Sequence, residues 1–162
     1  VIADVLHFSF TVSDIDAAVD WFTRVLGLEL VHRQRQDNAY TRRLVGMPEA
    51  VLEVAQFIVA GNPPRYSSHM LELVQYESPA GESRPLPTND VGVAHLALMV
   101  TDVHSRYERM LEQGVEFVSP PVEITAGANQ GGWASYLRGP DGITFELLQP
   151  PPARLAELGL QA

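Results

Sequence analysis

Two histidines and two glutamates recur at matching places in this 162-residue sequence. The stretch HFSFTVSDIDAAVDWFTRVLGLELV from His7 aligns with HLALMVTDVHSRYERMLEQGVEFV from His95, with one residue dropped before the glycine. His7 falls on His95, Val12 on Val100, Asp14 on Asp102 and Gly27 on Gly114. Later in each half HMLELVQY aligns with ITFELLQP, which places Glu72 on Glu146 and Gln75 on Gln149. One histidine on a strand is ordinarily a hydrogen-bonded core residue, and one strand glutamate ordinarily a solvent-facing charge. The same pair repeated in both halves points elsewhere, because pseudo-twofold packing would converge all four on one cleft. An unpaired carboxylate in such apolar runs is expensive. Two neutral imidazoles and two carboxylates can hold a divalent ion and leave positions for water or substrate oxygens. Nickel, cobalt, manganese, iron and zinc all suit that donor set.

The elements that must position these residues also repeat. Residues 5–12 alternate and stop at Ser13 and Asp14, as a strand followed by a helix N-cap would. Ile15, Ala18, Val19, Phe22 and Leu26 then make a helical stripe over 14–26 that Gly27 ends. LELVHRQ, VLEVAQFIV and HMLELVQY follow as three strands. The β-α-β-β-β order recurs from Val93, with a helix at about 102–113 and strands near 115–118, 121–125, 133–137 and 143–149. GPDG at 139–142 is a turn signal. Alternation places Glu72 on a strand face with Met70 and Val74, and Glu146 with Thr144 and Leu148. The expected class is α+β: an N-terminal module over 1–77, a Pro-, Ser- and Gly-rich linker over 78–90, a C-terminal module over 91–152 and a tail over 153–162. Side by side, the modules would form a cupped mixed sheet with helices outside.

Composition narrows the partners. Hydrophobic residues at 46% and charged residues at 19% exclude a disordered chain, and no apolar run is long enough for a membrane span. The formal charge of −9 repels phosphate backbones and anionic lipid, so neither nucleic acid nor membrane is an expected partner. With no cysteine there is no disulfide, thiolate nucleophile or cysteine-bound zinc. No basic segment followed by an apolar core opens the sequence, so the expected compartment is the cytoplasm.

The repeat, the V-x-D turns after Val12 and Val100, GLELV, VAHLALMV and GPDGITFELLQP together resemble the vicinal oxygen chelate superfamily over nearly the whole chain. Glyoxalase I, methylmalonyl-CoA epimerase, extradiol dioxygenases and fosfomycin- and bleomycin-resistance proteins belong to it. The resemblance implies tandem βαβββ modules around a metal cleft, with His7, Glu72, His95 and Glu146 as ligands. It also implies Glu146 as the catalytic base, with Glu72 as its partner on the opposite face of the substrate. A metal with open positions polarises a carbonyl and stabilises the enolate formed when the neighbouring C–H loses its proton. Two carboxylates on one carbon can remove a proton from one side and return it on the other.

Departures from individual members favour a metal-dependent epimerase or isomerase acting on a small-molecule carbonyl substrate. Where glyoxalase I contacts glutathione with Arg and Asn, this chain has Thr11 and Tyr76. Fosfomycin-resistance enzymes have His at the position of Glu72. Methylmalonyl-CoA epimerase usually has Gln there, which leaves carbohydrate-like ketones as an equal candidate. The alternatives are a glyoxalase I-like lyase, an iron(II) extradiol dioxygenase using His7, His95 and Glu146, and a small-molecule-sequestering resistance protein. Alternation puts His69, three residues before Glu72, on the other side of its strand. Glu53, read as alternating with Gln56 in its strand, is kept as a remote second base. The Gly-rich 126–133 stretch, a region that covers the cleft in the family the chain resembles, reads equally as a lid or as an ordinary surface loop. Tyr40, Arg42 and Arg43 follow the second strand. The apolar stripe of the tail, with the habit of the fold, suggests a homodimer.

Overall fold

The computed structural model describes residues 1–160, so the last two residues of the expected tail lie outside the description. The chain divides into two compact units, Val1–Arg84 and Pro85–Ala162. The first contains β1 (Phe8–Thr11), α1 (Ile15–Arg24), β2 (Leu28–Gln36), α2 (Ala39–Val45), β3 (Val51–Val59) and β4 (Leu71–Ser78). The second contains β5 (His95–Met99), α3 (Val103–Glu112), β6 (Glu116–Phe117), β7 (Val122–Glu123), β8 (Trp133–Arg138), β9 (Thr144–Gln149) and α4 (Pro152–Glu157). No helix among the described residues is long and apolar enough to cross a membrane.

Backbone pairing gives each unit its own mixed sheet. The strand order is β1-β4-β3-β2 in the first unit and β5-β9-β8-β6 in the second, with β7 also paired to β8. In both, the first strand runs parallel to the last while the remaining neighbours are antiparallel. The registers repeat: Ser9 lies opposite Glu72, and Ala97 lies opposite Glu146.

One face of each sheet is buried by apolar packing with its helix. Ile15, Ala18 and Phe22 of α1 are buried, as are Ala55, Phe57, Leu71 and Leu73 of the strands. The Phe22 and Phe57 rings meet at 5.7 Å. In the second unit Val103 and Met110 of α3 are buried, with Leu137, Phe145 and Leu147 from the strands. Burying each such side chain fully stabilises the fold by about 1.5–3 kcal/mol before entropy is counted. Glu72 and Glu146 alternate with these residues and therefore occupy the opposite faces.

Both helices start the same way. Asp14 accepts a hydrogen bond from the Ala17 amide at 3.0 Å, and Asp102 accepts one from the Ser105 amide at 3.0 Å. Each helix has a second cap from a distant strand. Gln75 Oε1 accepts from the Ile15 amide at 2.9 Å, and Gln149 Oε1 from the Val103 amide at 2.8 Å. The two glutamines that align in the repeat therefore fix the helix starts to β4 and β9.

Three local features differ from expectation. The first strand begins at Phe8 rather than near residue 5. Residues 38–46 form the short helix α2, capped by the Asn38 side chain and closed by Gly46 at φ +70. The tail folds as α4 and buries Leu155, to 2% exposure, while Leu158 and Leu160 stay exposed. Its apolar stripe is thus partly consumed within the chain.

Gln75→Ala and Gln149→Ala each leave a helix-start amide without its acceptor. Each should lower unfolding free energy by about 1–3 kcal/mol in denaturant titration. Comparable losses for the two variants would show that the caps carry similar weight in the two halves.

Candidate metal centre

The repeated histidines stand immediately at the start of the first strands. In the first unit, the parallel register that sets Ser9 opposite Glu72 leaves His7 two residues upstream, on the same strand side. In the second, Ala97 opposite Glu146 does the same for His95. The structure brings His7 and Glu72 together within one unit, and His95 and Glu146 together within the other.

The first cluster contains a residue that the sequence reading had turned away. His7, His69 and Glu72 offer donor atoms that all lie within 4.8 Å of one another. The His7 and His69 rings stack, with centroids 4.7 Å apart. His69 Nε2 is 3.6 Å from Glu72 Oε2, which also accepts from Gln56 Nε2 at 3.1 Å. The expectation that His69 faces away assumed that β4 extends back to it. The strand starts at Leu71, and His69 follows a bent segment in which strand alternation does not hold. The signal available in the sequence was the third ligand-type residue beside Glu72, preceded by Ser67 and Ser68.

In the second cluster His95 Nε2 lies 3.3 Å from Glu146 Oε2. The imidazole is 45% exposed and the carboxylate 15%. Tyr136 occupies the antiparallel position opposite Glu146, as Gln56 does opposite Glu72. Its hydroxyl is 3.4 Å from His95 Nε2, and its ring centroid 5.1 Å from that of His95. Burial, then the charge of Glu146, pushes the Tyr136 phenol above its ordinary range. Tyr136 therefore stays a neutral hydroxyl beside the pair.

Glu53, kept above as a second base, is not near these groups. It lies opposite Gln75 on β4, one strand residue out of phase with Gln56 and Glu72, and so on the helix-bearing face. There it is 3.7 Å from Arg33 and 4.0 Å from Arg35. The Gly-rich stretch joins β7 to β8 and is anchored at its end. Gly131 donates to Ile124 O at 2.8 Å, and a Cβ on Gly132 would stand 2.4 Å from Gln149 O. Any hinge in this loop must precede Gly131.

The donor chemistry fits a divalent cation. His7 Nδ1 and His69 Nε2 are buried and find no hydrogen-bond partner among the described residues. Buried polar atoms are rarely left so, and a site for an ion is one of the recognised reasons. Two donors on one ion at bond lengths near 2.1 Å stand ~3.0–3.4 Å apart, close to the 3.6 Å between His69 and Glu72.

Comparison with known proteins follows this geometry. The family model described as Glyoxalase/Bleomycin resistance protein/Dioxygenase superfamily matches residues 4–147. The chain belongs to this superfamily. A 2-epi-5-epi-valiolone epimerase from an Actinomyces species is 36% identical over 150 residues, covering 90% of this chain and 78% of the relative. A lactoylglutathione lyase from Arabidopsis thaliana is 24% identical over 150 residues, covering 91% of this chain but only 44% of the lyase. Among solved structures, a glyoxalase family protein from Bacillus cereus superposes with a TM-score of 0.75 at 23% identity, covering 93% of this chain and 95% of that one. These likenesses show the fold read from the repeat, tandem glyoxalase-type modules with mixed sheets.

Burial, and secondarily the neighbouring His7, holds the His69 imidazole below its ordinary value of 6.5, against the opposing pull of Glu72. As pH falls below about 6.5 the unfolded chain therefore takes up a proton that the folded chain resists. Stability present above that pH is lost progressively beneath it. For metal-free protein, unfolding free energy should fall with pH in that window, and the slope should flatten in His69→Gln. Denaturant titrations from pH 7.5 to 5 measure the difference.

Proposed function

We propose that this superfamily member is a metal-dependent epimerase acting on a hydroxylated ketone, by moving a proton on the carbon beside the carbonyl. The observation that carries the reading is the repeated parallel register, which sets one His/Glu pair on the sheet face opposite the helix in each unit. The 36% identical relative, a 2-epi-5-epi-valiolone epimerase, supports both the reaction class and the substrate class. His7, Glu72, His95 and Glu146 are the proposed ligand set, for nickel, cobalt, manganese, iron or zinc. When bound, such an ion supplies Lewis acidity at the substrate carbonyl and so acidifies the neighbouring C–H.

The two glutamates are not equivalent in their surroundings. Glu72 accepts from Gln56 at 3.1 Å, a contact that orients its carboxylate and suits a permanent ligand. Glu146 has a tyrosine at the matching position, with its hydroxyl directed to His95 instead. With a tyrosine rather than an amide opposite it, Glu146 is the proposed proton acceptor of the two. Glu146 therefore removes the proton. Glu72 or water returns it on the other face, inverting the centre. The Tyr136 hydroxyl stands where it can orient His95 or a substrate oxygen.

Glutathione chemistry is disfavoured at two positions. Thr11 and Tyr76 offer neither the guanidinium nor the amide that the resemblance ties to glutathione binding. Epimerisation leaves a plain isotopic record: in deuterated water the α-carbon exchanges as it inverts. With a cyclic hydroxyketone as substrate, wild type should incorporate solvent deuterium without oxygen uptake. Glu146→Gln should lower exchange by about 10²–10⁴-fold while keeping bound metal. Retained exchange in that variant removes Glu146 as base. Oxygen uptake with catechols, in the absence of exchange, would replace the reading by ring cleavage.

A further inference from the structure

The repeat accounts for His7 and Glu72 but not for His69. In the alignment that pairs Glu72 with Glu146, His69 pairs with Ile143, an apolar residue only 4% exposed. The first half has therefore put an imidazole where the second half has core. That imidazole is itself buried, at 6% exposure, and it is not consumed by packing alone. Its Nε2 is turned toward Glu72 and lacks a hydrogen-bond partner among the described residues, as does Nδ1 of the stacked His7. Its other nitrogen is provided for. Nδ1 lies 3.4 Å from Ser67 Oγ and 3.3 Å from Ser68 Oγ, while Ser67 Oγ also accepts from the His69 amide.

This is the arrangement of a metal-ligating histidine, whose second ring nitrogen is normally engaged by a neighbouring acceptor that fixes tautomer and ring orientation. We propose that His69 is a further metal donor, so that the first unit presents a two-imidazole, one-carboxylate face made of His7, His69 and Glu72. The proposal rests on the metal-dependent reading above and adds to it. With His69 as a donor, the first unit by itself would offer three ligand atoms to the ion.

Cobalt(II) binding to the full chain tests this without reference to turnover. Calorimetry gives affinity, and the paramagnetically shifted proton resonances of ligated imidazoles identify the donors. His69→Ala and the bulkier His69→Gln should each weaken cobalt(II) binding about tenfold or more and remove one shifted imidazole set. His104→Ala, at an exposed imidazole on α3, should change neither. Weaker binding with every shifted set retained would make His69 a positioning residue for Glu72 and overturn it as a donor. Unchanged affinity and spectrum would overturn it outright. If wild type takes up no divalent ion, the metal-dependent reading falls and this one with it, a result distinct from metal uptake indifferent to His69.

Discussion

The chemistry of this chain depends on strand register. In each unit the first strand pairs in parallel with the last, and the offset is the same, Ser9 to Glu72 and Ala97 to Glu146. Side chains alternate across a sheet with period two, so a one-residue slip would carry each glutamate to the face covered by the helix. It would also bring Leu71 or Leu73 to the face that now carries Glu72. The apolar cores thereby enforce the register, because neither sheet can slip without exposing buried residues such as Leu73 or Phe145 and burying an unpaired carboxylate. The placement of ligand-type side chains is a by-product of hydrophobic packing on the reverse of the same strands.

The glutamines strengthen this coupling. Gln75 follows Glu72 by three residues and so lies on the reverse face, where it accepts from the first amide of α1. Gln149 stands in the same relation to Glu146 and α3. Each last strand thus carries a site residue on one side and the helix anchor on the other. A shift in the helix start is resisted by a hydrogen bond to the strand that carries the carboxylate.

Much of this was legible because it is duplicated. His7 with His95 and Glu72 with Glu146 stood out from ordinary strand polar residues only by recurring, and the Asp14 and Asp102 caps were visible as breaks before helical stripes. What was not duplicated was read poorly. The helix α2 has only seven residues, and its amphipathic pattern is too short to declare itself, although Asn38 and Gly46 frame it in the expected manner. His69 was misplaced because alternation was extended past the end of β4 into a bent segment. Glu53 was misread in the opposite sense: it does lie within a strand, but three residues from Gln56 rather than two or four, which reverses its face. Both errors came from applying the period of two without first fixing the strand phase or its end.

The differences between the halves carry as much chemical meaning as their likeness. An exact duplicate would give two carboxylates in one environment, with no reason for one to bind while the other moves a proton. Here Gln56 opposes Glu72 and Tyr136 opposes Glu146, so one carboxylate is held by an amide while the other neighbours a hydroxyl occupied elsewhere. His69 against Ile143 pushes the same way, enriching the first half in nitrogen donors and leaving the second with apolar core. Duplication supplies paired His and Glu side chains on matching strands; substitution of a few cross-strand neighbours then gives the two glutamates different surroundings, the basis for the different roles proposed for them. On that argument, the residues beside the repeated four decide the chemistry more than the four themselves.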